Sequence, residues 1–252
     1  MKKRKISLIS SFHYTKLVGR SLLLILATIA YIIGKKINLN ELFNGFKKEY
    51  LLLGAIWIIY AIEMACRFFP SKLESMGCQK QFKHNFKPTE EEQPQLQSWK
   101  KTFTVALVWF LLNGIIGVLY FTNIIDENIL VLISLFYGVC DMICILFFCP
   151  FQTWMMKNRC CTDCRIYNWD FAMMFTPLVF IPTLYTWSLL ALSLGLLLRW
   201  EITLKMHPER FSSKTNACLN CSNCTEKLCH HKKQLRGFLV KNKKIFRRNI
   251  QK

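Results

Sequence analysis

Seven of the twelve cysteines in this 252-residue chain lie in two short polar segments, and these are the residues best suited to chemistry. The second segment contributes Cys218, Cys221, Cys224 and Cys229. Their spacing, C-x2-C-x2-C-x4-C, is close to the C-x2-C-x2-C-x3-C-P run that holds iron–sulfur clusters, but the last gap is longer and no proline follows. Zinc fits the four thiolates equally well, with His230 or His231 able to replace one of them. Disulfides are the third option, because such short loops would strain them.

The first segment reads RCCTDCR and adds three cysteines just beyond an apolar run: Cys160, Cys161 and Cys164. Cys149 lies at the edge of that run and is the predicted fourth ligand. Arg159 and Arg165 flank the thiols and favour their ionised form, which metal binding and thiol exchange both require. We therefore predict one iron–sulfur (4Fe-4S) or zinc site in the first segment with Cys149, and another in the second segment. Acylation by lipid is the simplest alternative for the first segment.

A carboxylate lies between two more cysteines inside the same apolar run. Cys140 and Cys144 are four residues apart and share a helix face, where simple packing accounts for them. Asp141 beside them is costly to bury in lipid, so it is expected to be paired, protonated or turned towards a cavity. Glu63 and Asn113 are its candidate partners. We predict that Asp141 handles a proton within the membrane.

Long apolar runs must position these residues, since 52% of the chain is hydrophobic. They predict an all-α, polytopic integral membrane helix bundle of about five transmembrane helices, with spans near 17–34, 50–69, 102–121, 129–151 and 171–198. The last of these would be about 42 Å long as a straight helix, against about 30 Å of hydrocarbon. One tilted or kinked helix is therefore expected there, near Pro177 and Pro182. The predicted domains are a basic segment at 1–16, a transmembrane domain at 17–200 and a Cys-rich basic tail at 201–252.

The chain carries 34 Lys and Arg against 15 Asp and Glu. In a multi-pass protein of the cell membrane, this excess predicts contact with anionic lipid headgroups, and we expect no nucleic-acid partner. Arg20, near the start of the first span, is expected to snorkel to the headgroups. Five spans would place the two cysteine segments on opposite faces. The segments would share a face only if the number of spans is even, with the last segment lying at the surface or dipping into the membrane and returning. Five spans would also divide Lys and Arg almost equally between the faces. The positive-inside rule then gives no orientation, although the basic start of the chain favours a cytoplasmic N-terminus.

The leading functional prediction is a membrane-anchored iron–sulfur component that exchanges electrons with a redox partner protein, with Asp141 handling a coupled proton. A b-type haem is disfavoured because all five histidines lie outside the predicted spans. The alternative is a non-catalytic scaffold or transporter subunit with structural zinc, in which Asp141, Glu63 and Asn113 line a polar pathway or lock helices together. A thiol–disulfide exchanger that uses Cys160, Cys161 and Cys164 is a third, weaker hypothesis. No Walker loop, HExxH or GxSxG motif supports the common ATPase, metalloprotease or hydrolase classes.

Overall fold

The computed structural model describes residues 8–33, 51–70, 76–91, 93–158, 164–220 and 223. These residues are 77% helical and include no strand, which confirms the predicted all-α class. The α-helices within them are α1 (Leu8–Ile32), α2 (Leu51–Cys66), α3 (Met76–Gln81), α4 (Trp99–Phe121), α5 (Glu127–Leu146), α6 (Asp170–Phe175) and α7 (Leu184–Met206). Four of them, α1, α4, α5 and α7, are long and apolar enough to cross a membrane, and α2 is a shorter apolar helix.

The helix α4 shows why these segments are stable in a bundle surrounded by lipid. Its buried positions hold small or polar side chains, among them Asn113 and Gly117. Its large apolar side chains, such as Phe103, Phe110 and Ile115, are instead more than half exposed. A helix in water would bury that apolar face, whereas small inward residues that allow close helix contact are typical of helices in lipid.

The predicted fifth span consists of two pieces with different directions. The helix α6 ends at Phe175 and continues as a 3-10 helix over Thr176–Phe180, and α7 then begins after Thr183. Pro177 and Pro182 cannot donate backbone hydrogen bonds, so an uninterrupted α-helix is not available to this stretch. Thr183 starts the new helix by accepting a hydrogen bond from the Thr186 amide. We call residues 170–180 the broken arm.

The broken arm enters the bundle and α7 returns from it. Its far end lies beside the end of α4, because the Phe180 ring packs against Tyr120 in a tilted arrangement and against Phe121 edge to face. The helix α7 then runs back until Glu201 forms an ion pair with Arg165, which precedes the arm. The loop at 147–169 and the residues after α7 therefore lie at one end of the bundle, which we call the cysteine end. The helix α1 also begins there, since it runs antiparallel to α5 with Tyr14 against Phe147.

Of the two placements that the sequence leaves open for the cysteine segments, this arrangement matches the one in which they share a face. The described residues of these segments, Cys164 and Cys218, are both at the cysteine end, because the broken arm leads the chain away from that end and α7 leads it back.

The basic residues are also unequally divided between the two ends of the bundle. The described Lys and Arg residues are Lys16, Arg20, Arg67, Lys80, Lys83, Lys87, Lys100, Lys101, Lys157, Arg165, Arg199, Lys205, Arg210 and Lys214. All of them lie in the half of the bundle nearer the cysteine end, whereas Asp126 and Glu127 lie at the opposite end.

Candidate functional site

Arg20 is the centre of an ion-pair network inside the bundle. Its side chain is 3% exposed, and its Nη2 donates to Glu63 Oε2 of α2 at 2.7 Å. Its Nη1 donates to Asp141 Oδ2 of α5 at 3.0 Å and to the Gly138 carbonyl oxygen at 2.9 Å. Lys16, one helical turn earlier, lies 3.5 Å from Glu63. One arginine of α1 thus binds the carboxylates of two other helices.

A second ion pair extends this network to the broken arm. Arg67 follows the end of α2, is 3% exposed, and its Nη1 lies 2.6 Å from Asp170 Oδ2. The Phe171 ring lies between the two arginines, 4.6 Å from the guanidinium of Arg67 and 5.9 Å from that of Arg20. These cation–π contacts stabilise the buried guanidinium groups where water cannot solvate them. Three basic and three acidic side chains therefore balance one another in the interior.

The network corrects two expectations from the sequence. Arg20 does not snorkel to the surface, because two carboxylates and a carbonyl oxygen bind it in the interior. Asp141 is paired, as expected, but with Arg20, and Glu63 shares that arginine. Asn113 takes no part, since its amide donates to the Trp109 carbonyl oxygen one turn earlier in α4.

Gly138 allows the elements around the network to approach closely. A methyl group at this position would lie 2.7 Å from the Tyr60 hydroxyl oxygen and 2.9 Å from the Met174 sulfur. Tyr60 belongs to α2 and Met174 to α6, so α5 contacts both elements at the residue that has no side chain. The Gly138 carbonyl oxygen is also available to Arg20 as an acceptor. The glycine therefore allows α2 and α5, the helices that carry Glu63 and Asp141, to approach each other closely.

A cavity of about 440 Å³ lies next to the network. The two acidic residues Asp141 and Asp170 are part of its wall. Four thiols also line it: Cys140, Cys144, Cys149 and Cys164. Most of its other lining residues are aromatic or aliphatic, such as Trp109 and Tyr137, whose ring centroids are 4.8 Å apart. Thiols, carboxylates and aromatic rings thus surround one space.

The chain places Cys149 at this cavity by ending α5 early. The helix stops at Leu146, and Pro150 begins a π-helical turn over Phe151–Met155. The Cys149 sulfur accepts a hydrogen bond from the Gln152 amide at 3.4 Å and also interacts with the Cys144 thiol through a side-chain hydrogen bond. Cys140 and Cys144 share a face of α5, as predicted, and that face is turned towards the cavity. The sequence interpretation of these two cysteines as packing residues missed this role.

Cys164 lines the same cavity from near the end of the loop at 147–169, whereas Cys149 lies near its start. Cys164 is 7% exposed, and the next residue, Arg165, donates from both terminal guanidinium nitrogens to the Glu201 carboxylate of α7. The Trp169 indole nitrogen donates to the same carboxylate at 2.7 Å. Glu201 therefore fixes the loop that follows Cys164.

The predicted ligand sets are brought together in part. Cys149 and Cys164 line one cavity, whereas their predicted partners Cys160 and Cys161 lie outside the described residues. In the second segment, the Cys218 thiol donates to the Asn85 carbonyl oxygen at 2.9 Å. Its predicted partners Cys221, Cys224 and Cys229 also lie outside the described residues. Within the described part of the chain, no three His, Cys, Asp or Glu side chains are close enough together to hold a metal ion.

His13 corrects the expectation that all histidines lie outside the apolar helices. Because α1 begins at Leu8, well before the predicted start of the first span, His13 belongs to this helix and is 3% exposed. Neither of its ring nitrogens has a hydrogen-bond partner in the described structure. His84 and His207, the other described histidines, lie outside the four long apolar helices.

Arg20 is the one basic residue within the apolar run Leu17–Gly34. That position indicates a buried charge, which the interpretation as a headgroup contact overlooks. Arg67 and Asp170 lie at the ends of apolar runs, where charged residues are usual, so nothing in the sequence distinguished them. A scan of protein-family models gave no match to this chain, and comparisons with curated proteins and with solved structures gave none either.

Proposed function

We propose that this chain is a membrane-embedded metal-binding protein that carries electrons through an iron–sulfur centre at the cysteine end. The observation that supports the proposal is the convergence of Cys149 and Cys164 on one cavity, with Cys140 and Cys144 beside them. Cysteines separated by fifteen positions in sequence share this space because α5 ends early and the loop folds back. Thiolates grouped in this way are the ligands that iron–sulfur clusters and zinc require.

In this proposal, the two cysteine segments hold separate centres. Cys149, Cys160, Cys161 and Cys164 bind the first, most readily a 4Fe-4S cluster. Cys218, Cys221, Cys224 and Cys229 bind the second, at the same end of the bundle, where a soluble redox partner protein can reach it. Asp141 takes up or releases a proton as the charge of the first centre changes. The helix α2 crosses the membrane together with α1, α4, α5 and α7, which gives five long membrane helices. The broken arm carries the chain from the cysteine end to the far end before α7 begins, so both cysteine segments lie on one face.

The distribution of basic residues orients this bundle. Lys and Arg accumulate on the cytoplasmic side of membrane proteins. Since every described Lys and Arg lies in the half nearer the cysteine end, that end faces the cytoplasm of the cell membrane and contacts its anionic headgroups. The cytoplasm keeps thiols reduced, so cysteines on this side remain available as metal ligands rather than forming disulfides.

The decisive experiment is the iron and acid-labile sulfide content of protein purified without oxygen, with its visible spectrum. We expect iron and sulfide in the wild-type protein, and less of both in Cys149→Ser and Cys164→Ser. Cys66→Ser is the matched control, because Cys66 is an exposed cysteine of α2 that does not line the cavity. Protein that contains neither iron nor sulfide would overturn the proposal.

The ion-pair network supports a second function, that of a scaffold or transporter subunit with structural zinc. Arg20 connects three helices, and buried charges that neutralise one another can hold helices together within a membrane. Zinc without sulfide in the same purified protein would favour this function. Ion flux is then compared between vesicles that contain wild-type protein and vesicles that contain Asp141→Asn. A difference in flux would identify a polar pathway, and equal flux would favour a scaffold function.

A further inference from the structure

The thiols of Cys144 and Cys149 meet because of the way in which α5 ends. Side chains five residues apart in a regular α-helix point in directions about 140° apart, so two such thiols would not touch. The end of α5 is wider than an α-helical turn, since the Phe148 amide donates to the Ile143 carbonyl oxygen, five residues earlier, at 3.1 Å. The two thiols therefore share a side-chain hydrogen bond. Thiols in contact need little backbone movement to form a disulfide.

The Cys149 sulfur is the better placed of the two to attack an electrophile. It accepts a hydrogen bond from the Gln152 amide at 3.4 Å, in addition to the hydrogen bond that it shares with Cys144. A backbone donor of this kind stabilises the charge that develops on a reacting atom. Cys144 lies beside it as a second thiol. The pair thus combines one attacking thiol with another that can close a disulfide onto it.

Both thiols line the cavity of about 440 Å³, so the walls of this cavity decide which reagent reaches them. Its volume lies within the range of ligand pockets, roughly 300–1,000 Å³. Phe136, Ile143 and Phe148 also line it and are 53%, 40% and 42% exposed. These three residues belong to the membrane helix α5 or directly follow it, so their outer face lies against lipid. The cavity therefore opens to the hydrocarbon layer, which charged oxidants dissolved in water do not enter.

The carboxylates in the cavity wall do not oppose a neutral, apolar ligand. Arg20 neutralises Asp141, and Arg67 neutralises Asp170. Most of the other lining residues are aromatic or aliphatic. A fatty acyl chain matches such walls, and hydroperoxides are the oxidants that form on unsaturated chains within the hydrocarbon layer. An acyl chain that carries a hydroperoxide group is therefore the reagent that fits both the walls and the thiols.

We propose that Cys149 and Cys144 reduce a fatty acyl hydroperoxide in this cavity and are themselves oxidised to a disulfide. The Cys149 sulfur attacks the terminal oxygen, the O–O bond breaks, and the leaving alkoxide takes up the Cys149 proton to become an alcohol. Cys149 is then a sulfenic acid. The Cys144 sulfur attacks it, the S–S bond forms, and the S–O bond breaks to release water with the Cys144 proton. Two electrons thus pass from the two thiols to one hydroperoxide.

This reaction goes beyond the proposed function and needs no metal. Cys149 is also a predicted ligand of the first centre, so a metal bound there would protect its thiol. The disulfide, once formed, would remove Cys149 from the ligand set. In the proposed orientation these thiols face the cytoplasm, where disulfides are transient. The reaction is therefore expected in metal-free, reduced protein.

The test is a single turnover of chelator-treated, reduced protein in detergent with methyl linoleate hydroperoxide. After alkylation with N-ethylmaleimide, chymotrypsin cleaves at Leu146, Phe147 and Phe148, between the two cysteines. Mass spectrometry of the unreduced digest therefore detects a disulfide between Cys144 and Cys149 as a pair of linked peptides. We expect this disulfide and one alcohol per chain. Hydrogen peroxide at the same concentration should react at least about tenfold more slowly, since it must leave water for an apolar cavity.

Three serine variants assign the roles of the thiols. Cys149→Ser should form no alcohol above background. Cys144→Ser should still form one alcohol per chain but no disulfide, and dimedone should trap the sulfenic acid on Cys149. Cys140→Ser is the matched control, because Cys140 lines the same cavity one turn before Cys144, and it should yield both products. Circular dichroism of each variant verifies the fold, and the disulfide mapped in wild-type protein is a test that needs no variant.

Several outcomes would overturn the proposal. They are the absence of alcohol from the wild-type protein, a disulfide at other cysteines, and a loss in Cys140→Ser as large as in Cys149→Ser. Equal rates with hydrogen peroxide would show that the oxidant arrives from water, which contradicts an acyl hydroperoxide. Iron and sulfide are measured on a separate portion before chelation. Iron without the disulfide refutes the thiol reaction alone, and the disulfide without iron refutes the metal centre alone.

Discussion

Arg20 of α1 and Asp141 of α5 are 121 positions apart in the sequence, and their Nη1 and Oδ2 atoms lie 3.0 Å apart inside the bundle. The same guanidinium group binds Glu63 of α2 at 2.7 Å. A charge in such a place is stable only while its partners are present, because removal of one partner leaves the others buried and unpaired. Arg20 therefore holds α1, α2 and α5 together and neutralises the Asp141 carboxylate in the cavity wall.

Replacement of Arg20 by methionine should therefore destabilise the protein strongly. We expect a loss of about 3–5 kcal/mol, since Glu63 and Asp141 would remain buried without a cation. The measurement is thermal unfolding in detergent, followed by the loss of helical circular dichroism. Lys16→Met is the control and should have a much smaller effect, because Lys16 contacts Glu63 at 3.5 Å while Arg20 still binds that carboxylate.

A triple variant checks whether this loss is electrostatic. Arg20→Met combined with Glu63→Gln and Asp141→Asn should be more stable than Arg20→Met alone, because no unpaired charge remains. If the triple variant is less stable than the arginine variant, then packing around Arg20, rather than charge, holds the three helices together.

Gly138→Ala should destabilise the junction between α2, α5 and α6. The added methyl group would lie within 3 Å of both the Tyr60 hydroxyl oxygen and the Met174 sulfur. Overpacking of this kind costs about 1–3 kcal/mol. Gly114→Ala in α4 is the matched control, because a methyl group there meets nothing within 4 Å and alanine favours the helix. Unfolding temperatures of the two variants should therefore move in opposite directions, and a stable Gly138→Ala variant would contradict the close contact.

The sequence predicted the helical class and the position of most apolar runs, because long hydrophobic stretches have few other solutions. From the cost of a charge in lipid, it also predicted that Asp141 is paired, protonated or turned towards a cavity, and the structure shows this residue both paired and at the wall of a cavity. The partner of Asp141 could not be predicted, since Arg20 belongs to a helix that is far from α5 in the sequence and contacts it only in the folded bundle. The path of the last segment was left open: Pro177 and Pro182 indicated a kink, and a segment that dips and returns was one alternative. Only the contact of Phe180 with the end of α4 selects that alternative.

The orientation can be tested by labelling introduced cysteines in intact cells with a membrane-impermeant maleimide. Ile124→Cys lies in the short loop between α4 and α5, at the end opposite the cysteines, and should react in intact cells. Glu90→Cys lies at the cysteine end and should react only after the cells are opened, as should the native exposed Cys66 at the end of α2. Wild-type protein supplies the background. Labelling of Glu90→Cys but not Ile124→Cys in intact cells would invert the proposed orientation and place the thiols in an oxidising compartment.

Glu201→Gln should loosen the loop that carries Cys164 without unfolding the bundle. The Glu201 carboxylate accepts hydrogen bonds from both terminal guanidinium nitrogens of Arg165 and from the indole nitrogen of Trp169. Loss of a charge-assisted hydrogen bond costs about 1.5–3 kcal/mol, which corresponds to about tenfold or more in the opening of the loop. Because Cys164 is 7% exposed, its alkylation requires such opening. Mass spectrometry of metal-free protein should therefore show Cys164 alkylated about ten times faster in the variant.

Glu209→Gln is the control for this prediction. Glu209 follows α7 and is more exposed than Glu201, and its contacts are with His207 and, at 3.9 Å, with Arg210. Its replacement should leave the alkylation rate of Cys164 unchanged. If Glu201→Gln also leaves that rate unchanged while the metal content falls, the carboxylate acts on the metal centre through its charge rather than by holding the loop. If both rates rise together, opening involves the whole cysteine end, and the contact between Arg165 and Glu201 is not what keeps Cys164 buried.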